Sequence, residues 1–231
     1  MSDNNIKSVF ESAVVYVAQY PFPTASDYVS SARAKEISAC GNERARKCKY
    51  YVWKLLEYAF DDLLGMDLNA VDISRNANGK LTCGVAEFSV THSGNVVAAA
   101  IFDRRIGVDL ERRNTARFDG RILDKILTAS ERESLMKLPQ GDRALYANCL
   151  WTVKEAVFKR DGGKTFIPNT IECKSERFET ASVFALGDEY ILSVSSVGDF
   201  DIEYRYVNVD SGNSFKLGEI LNEERCRSKK Y

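Results

Sequence analysis

The sequence predicts an α+β protein made of two similar halves, and three observations carry that expectation. Two long amphipathic helices are expected, in YYVWKLLEYAF (50–60) and NCLWTVKEAVF (148–158), and they superimpose on the chain's only tryptophans. An aliphatic residue before the tryptophan, an apolar residue two after it and a phenylalanine seven after it coincide in both. Each helix is followed by short apolar runs separated by tight polar turns, as hairpin-built antiparallel sheets require. Finally, 231 residues with 45% apolar and 11% aromatic content suffice to bury a real core. The junction falls near Arg104–Val108, giving halves of 1–105 and 106–231.

The elements follow in order. SAVVYVA (12–18) reads as a buried strand ended by PFP at 21–23. The pattern is helical from Ala25 to about Phe60. Asn42 and Glu43 open the long segment, and Tyr51, Val52, Leu55, Leu56 and Ala59 share one helix face. A short strand (AVDIS, 70–74) leads into the polar turn RNANGK. The strands AEFSV (86–90) and NVVAAAIF (95–102) are joined by THSG, and DRR turns the chain into IGVDLE. In the second half, short helices occupy 119–138, where Ser130 and Glu133 match a capping box. A long helix runs from about Asp142 to Lys159. Strands are expected at TIEC (170–173), SVFAL (182–186), EYILSVSS (189–196) and FDIEYRYV (200–207), with GD turns between the last three. EERCRSKKY reads as a frayed, solvated tail.

Composition narrows the function. A net charge of -1, from 32 basic and 33 acidic residues, argues against a general nucleic-acid binder, so any anion must be held by a local cluster. Six scattered cysteines, no C-x-x-C pair and a single histidine argue for reduced thiols and against zinc. The first residues lack a basic segment, and their apolar stretch is too short for a signal peptide or membrane span. A soluble, intracellular, cytoplasmic protein is expected.

The chemistry lies in a few short segments. In IGVDLERR (106–113), Asp109 and Glu111 stand two apart and share a strand face about 7 Å from each other, so they repel unless a positive charge lies beside them. Alone, such a pair is more often a polar sheet face. In WTVKEAVFK (151–159), Trp151, Glu155 and Lys159 fall four apart on one helical stripe. Alone, Glu155 and Lys159 would be an ordinary solvent-facing pair contributing about 0.3–0.5 kcal/mol. Together the segments offer three carboxylates, the equipment for a hard divalent cation such as Mg²⁺. FSVTHSG (88–94) holds the only histidine, His92, in what reads as a hairpin turn. Lys80 follows the NG turn at 78–79. Between Arg33 and Lys49, six basic residues (Arg33, Lys35, Arg44, Arg46, Lys47, Lys49) face only Glu36 and Glu43. A solvated helix face and an anion site explain that cluster equally well.

The ordered set GK (79–80), THSG (91–94), GVDLE (107–111) and W-x-x-K-E-x-x-x-K (151–159) resembles the 4'-phosphopantetheinyl transferases. The likeness is to their monomeric, two-lobed branch, the surfactin-synthetase-activating type, and spans about residues 12–206. It implies two lobes related by pseudo-twofold symmetry, each a long helix packed on a small antiparallel sheet, with coenzyme A in the cleft. It implies that a serine of an apo acyl or peptidyl carrier protein attacks the β-phosphate of coenzyme A, phosphopantetheine moves to the serine, and 3',5'-ADP leaves. Residue by residue, it implies Mg²⁺ on Asp109 and Glu155, and on Glu111 directly or through water. Glu155 takes the serine proton, itself or through a water. Lys159, with Lys154 alongside, steadies the phosphates. His92 donates to the pyrophosphate, Thr91 contacts coenzyme A, and Lys80 lies against the nucleotide. Lys49 best matches the residue near the 3'-phosphate, ahead of Arg33 and Lys35. Two positions depart from the family's pattern: Leu81 replaces a proline often found after G-K, and Thr91 replaces a serine. A metal-dependent phosphodiesterase or nuclease is the alternative reading, weakened by the absence of a basic stripe in the sequence. A noncatalytic module would be expected to have lost part of the acidic trio, and all three acids are present.

Overall fold

The strand near the N-terminus, β1 (Ala13–Gln19), is buried along six of its seven residues because both its faces are covered. The computed structural model in which this is seen describes residues 10–20, 34–113, 118, 120–173, 178–182, 189–210 and 215–222. PFP at 21–23, Arg33, most of SVFAL and the tail EERCRSKKY lie outside these residues. After β1 come α1 (Ala34–Ser38), α2 (Glu43–Leu64), β2 (Ile73–Arg75), β3 (Leu81–Cys83), β4 (Glu87–Ser93), β5 (Val96–Phe102) and β6 (Ile106–Arg112). Then follow α3 (Gly120–Ile126), α4 (Ala129–Lys137), α5 (Gln140–Asp161), β7 (Phe178–Ser182), β8 (Tyr190–Ser196), β9 (Ile202–Val209) and β10 (Phe215–Asn222).

A five-stranded sheet has the order β10-β9-β1-β5-β4, a three-stranded sheet the order β6-β8-β7, and β2 and β3 form a hairpin of their own. Each larger sheet carries one 22-residue helix. Helix α2 starts where Asn42 accepts from the amide of Ala45, the N-cap role this residue type suits. Its apolar stripe (Tyr51, Leu55, Leu56, Ala59, Phe60) packs on Tyr16, Ala99 and Ile101 of the first sheet. The opposite face of that sheet (Val15, Val17, Ala98, Ala100, Phe102) shares a second core with Ile106, Val108 and Leu110 of β6 and Leu192 and Val194 of β8. Helix α5 covers the far side of the second sheet. The layers therefore run α2, five strands, three strands, α5. Each fully buried aliphatic or phenyl side chain here contributes about 1.5–3 kcal/mol.

Several details depart from the sequence expectation. Strands β8 and β9 do not form a hairpin: the chain leaves the second sheet after Ser196, and β9 pairs in parallel with β1 in the first. Burial drives the crossing, since Ile202 and Tyr204 then enter the core between the sheets. The first sheet is thus not purely antiparallel, and it gains β9 and β10 from the second half. TIEC is not a strand. Pro168–Thr170 form a single 3-10 turn, and the amide of Cys173 donates to Glu131 Oε1 instead of to a ladder. AVDIS yields only Ile73–Arg75 as strand, after a 3-10 turn at Leu68–Ala70. The capping box uses Thr128 and Glu131 rather than Ser130 and Glu133. Two S/T-x-x-E frames overlap there, and a buried tertiary partner for Glu131 selects the earlier one. Strand β4 extends through Ser93, so His92 lies in a strand and the turn shrinks to Gly94-Asn95. Gly94 takes φ +60°, which the tight hairpin demands.

Candidate active site

The alternation in IGVDLE resolves into two environments. Ile106, Val108 and Leu110 point into the core between the sheets, so Gly107, Asp109 and Glu111 point the other way, at α5. Gly107 permits the close approach: a Cβ there would overlap the carbonyl of Ala156 and the amide of Arg160. With the helix held this close, its stripe meets the acids. Asp109 is buried, and its Oδ1 accepts from Lys159 Nζ at 2.6 Å and from Thr91 Oγ1 at 3.1 Å. Lys159 Nζ lies 3.9 Å from Glu155 Oε2 and 3.2 Å from Thr91 Oγ1. One turn and more toward the N-terminus, the indole of Trp151 donates to Glu111 Oε1 at 3.1 Å, while Ser93 donates to Oε2 at 3.4 Å. Three elements thus converge: β4, β6 and α5.

Charge within this group is unbalanced. Burial pushes the Glu155 carboxyl up to about 7, Asp109 and Glu111 push in the same direction, and Lys159 opposes them. A carboxylic acid that holds its proton near neutrality reports missing positive charge. Asp109 Oδ2 is buried with no hydrogen-bond partner. A buried, unpartnered carboxylate oxygen beside a second acid fits a hard divalent cation, which takes one or two carboxylates and completes its shell with water and substrate phosphate. Among the described residues no three His, Cys, Asp or Glu side chains gather into a ready cage. Glu111 is turned to Trp151 and Ser93, and Lys159 supplies the positive charge beside Asp109 and Glu155.

Residues 105–204, which contain β6 and α5, match the model of the 4'-phosphopantetheinyl transferase superfamily. The likeness covers the strand that carries the acids and the helix that meets it. The 4'-phosphopantetheinyl transferase psf-1 of Bacillus pumilus is 25% identical over 111 residues, covering 47% of this chain and 47% of that protein. The match therefore spans about half the length of this curated relative.

Within the matched stretch, Lys154 does not face the acids. It is fully buried, and its ammonium donates to Ile126 O at 2.8 Å, Glu131 Oε2 at 2.6 Å and Pro168 O at 2.9 Å. All three of its hydrogens are used. Glu131 also accepts from the amides of Thr128 and Cys173. The pair ties α4, α5 and the turn at 168–170 together, which corrects the expectation that Lys154 helps with phosphates. Sequence reading missed Glu131, because its partner lies 23 positions away; the one local signal is that Thr128-x-x-Glu131 also spells a capping frame.

The remaining expected residues precede the matched stretch in the sequence. Lys80 donates to Glu87 Oε2 at 3.2 Å, Ile106 O at 3.4 Å and Arg160 O at 3.1 Å, pinning the β2–β3 turn to the end of α5. Beside it a cavity of about 300 Å³ is lined by Arg75, Lys80, Phe88, Phe158 and Lys159. His92 is exposed on β4. Its neighbour is Cys48 of α2: burial raises that thiol's pKa, but hydrogen bonds to His92 and Tyr20 outweigh it and bring the thiol below its usual value. Tyr20 Oη lies 3.2 Å from Cys48 Sγ and donates to Gly94 O at 3.1 Å. Cys48 was not legible as a partner of His92, nor Tyr20 as a partner of Cys48. Lys49 donates to Glu36 O at 3.3 Å, and Lys35 is exposed on α1. Arg33 lies outside the described residues. On the other side of Trp151, Ile122, Ile126, Phe166, Ile167 and Pro168 line an apolar cavity of about 570 Å³. Among the described residues no helix is long and apolar enough to cross a membrane.

Proposed function

We propose that the protein transfers the 4'-phosphopantetheine group of coenzyme A to a serine of an apo acyl or peptidyl carrier protein, with Mg²⁺ as cofactor and 3',5'-ADP as second product. The observation that carries this reading is the meeting of Asp109, Lys159 and Glu155 at the β6–α5 contact, inside the stretch that matches the family. In this reading Asp109 and Glu155 hold the metal, and Glu111, anchored by Trp151, completes its acid surroundings. Mg²⁺ held by these residues would offset charge on the pyrophosphate. Lys159, already between the acids, keeps its bonds to Asp109 and Thr91, turns its remaining hydrogen to phosphate oxygen and stabilises the charge that develops as the bond breaks. Glu155 accepts the serine proton. His92, exposed and backed by Cys48, donates to the pyrophosphate.

The nucleotide end of coenzyme A takes the cavity by Lys80, with Lys49, Lys35 and Arg33 as the basic residues for the 3'-phosphate. The apolar cavity beyond Trp151 suits the extended pantetheine arm. Residues 1–105 supply nucleotide contacts and residues 106–231 the metal carboxylates and the catalytic helix, in two lobes related by pseudo-twofold symmetry and acting as a cytoplasmic monomer. The test is a panel of apo carrier proteins incubated with coenzyme A and Mg²⁺ and read by mass spectrometry. One carrier should gain a single phosphopantetheine, chelation should stop the reaction, and Asp109→Ala should abolish it in a protein that still melts cooperatively. No mass gain on any carrier, or transfer that survives chelation, refutes the reading.

A further inference from the structure

We infer that Thr91 is a positioning residue for the Asp109–Lys159 pair, acting through a hydroxyl whose bonding capacity is entirely used inside the protein. The inference deepens the transferase reading and rests on it.

Strand β4 carries Ser89, Thr91 and Ser93 at alternate positions, on the face turned away from α2. Their hydroxyl oxygens accept from the amides of Val108 at 3.1 Å, Leu110 at 3.3 Å and Arg112 at 3.0 Å. Strand β6 pairs with β8 along one edge, and the bond from Arg113 N to Glu189 O shows that the odd-numbered amides point that way. The even-numbered amides point out along the other edge, where an uncovered strand would leave them without partners. The three hydroxyls of β4 form a rail that covers this edge and sets the register of the acid strand against the strand carrying His92.

Thr91 does more than its neighbours on the rail. A hydroxyl has one hydrogen and two lone pairs. Thr91 donates its hydrogen to Asp109 Oδ1 at 3.1 Å and accepts from Leu110 N at 3.3 Å and Lys159 Nζ at 3.2 Å. One buried oxygen therefore joins β4, β6 and α5. With Oδ1 held by Thr91 and Lys159, the carboxylate is oriented so that Oδ2, which has no hydrogen-bond partner, is the atom left to a ligand. No lone pair or hydrogen of the Thr91 hydroxyl remains for coenzyme A while this arrangement holds. Ser89 makes the rail bond with no acid attached, so it separates a rail effect from a positioning effect.

The experiment compares Thr91→Val, Thr91→Ser and Ser89→Ala in the full chain. It measures Mn²⁺ binding by electron paramagnetic resonance without coenzyme A, kcat and KM for coenzyme A in transfer, and thermal melting. Thr91→Val should weaken Mn²⁺ binding about tenfold or more, the size expected when a partner of a metal ligand is removed. It should lower kcat by a similar factor and leave KM for coenzyme A within about twofold. Thr91→Ser, which restores the hydroxyl, should return both quantities to within about threefold of the original. Ser89→Ala should lower the melting temperature yet leave Mn²⁺ affinity within about twofold. A raised KM with unchanged Mn²⁺ affinity in Thr91→Val would mean a direct coenzyme A contact and overturn the inference. So would loss of Mn²⁺ affinity in Ser89→Ala equal to that in Thr91→Val, or no Mn²⁺ binding by the unaltered chain. Should the chain fail to modify any carrier, the transferase reading falls, while the Mn²⁺ measurements still decide the role of Thr91.

Discussion

At the scale of single residues, Glu155 shows how a site can be held at a cost to stability. Its carboxyl titrates near 7 in the fold against an ordinary 4.5, first through burial and then through Asp109. Between those pH values the folded protein keeps a proton that the unfolded chain has lost, so the stability this group contributes falls as pH rises and is gone above about 7. Glutamine keeps the neutral shape at every pH. The metal-free Glu155→Gln variant should therefore be more stable than the original at pH 8 by about 3 kcal/mol, and equal to it at pH 4, in urea titrations with chelator. A less stable variant at pH 8 would show that the carboxylate is satisfied without a cation. Lys154, one position earlier, is the reverse case. Removing its charge leaves Glu131 buried without its counter-ion, so Lys154→Met should cost about 3–5 kcal/mol by urea unfolding. The folded fraction should still transfer at low temperature, because Lys154 does not reach the acids.

At the scale of elements, the decisive contact is that of β6 with α5. The spacing of Trp151, Glu155 and Lys159 was readable as one helical stripe, and the two-residue spacing of Asp109 and Glu111 as one strand face. Both readings hold, since periodicity follows from backbone geometry alone. What periodicity does not contain is the distance between the two elements, and Gly107 sets that distance. Gly107→Ala must drive the helix off the strand, because the added methyl meets backbone atoms of Ala156 and Arg160 that cannot swing aside. A misplacement near 1 Å costs about a hundredfold in rate, so the alanine variant should lose at least that much transfer and melt at a lower temperature. An alanine variant with ordinary kinetics would contradict the packing described. The superposition of the two tryptophan helices was informative about length and face. It did not reveal that Trp53 is a core residue while Trp151 spends its indole N–H on Glu111.

At the scale of the whole molecule, the two halves of the sequence are not two independent folding units. Strand β9 crosses from the second sheet to lie parallel to β1, and β10 follows it as the edge of the five-stranded sheet. Residues 1–105 expressed alone would leave β1 without its parallel partner, and the face carrying Val15, Val17 and Ala98 without its cover. That fragment should give no cooperative thermal transition by circular dichroism, whereas a sharp transition would show that the halves are separable. The sequence by itself determined the α+β class, both long helices, the strand face shared by Asp109 and Glu111 and the helical stripe shared by Glu155 and Lys159. Those follow from local periodicity and residue type, which every short segment carries within it. Only the tertiary structure decided that β9 joins β1, that Lys154 is spent on Glu131 and that the Thr91 hydroxyl is shared by three elements. Each depends on partners between 18 and 189 positions apart, and such choices are made by competition for buried space and hydrogen bonds across the whole chain.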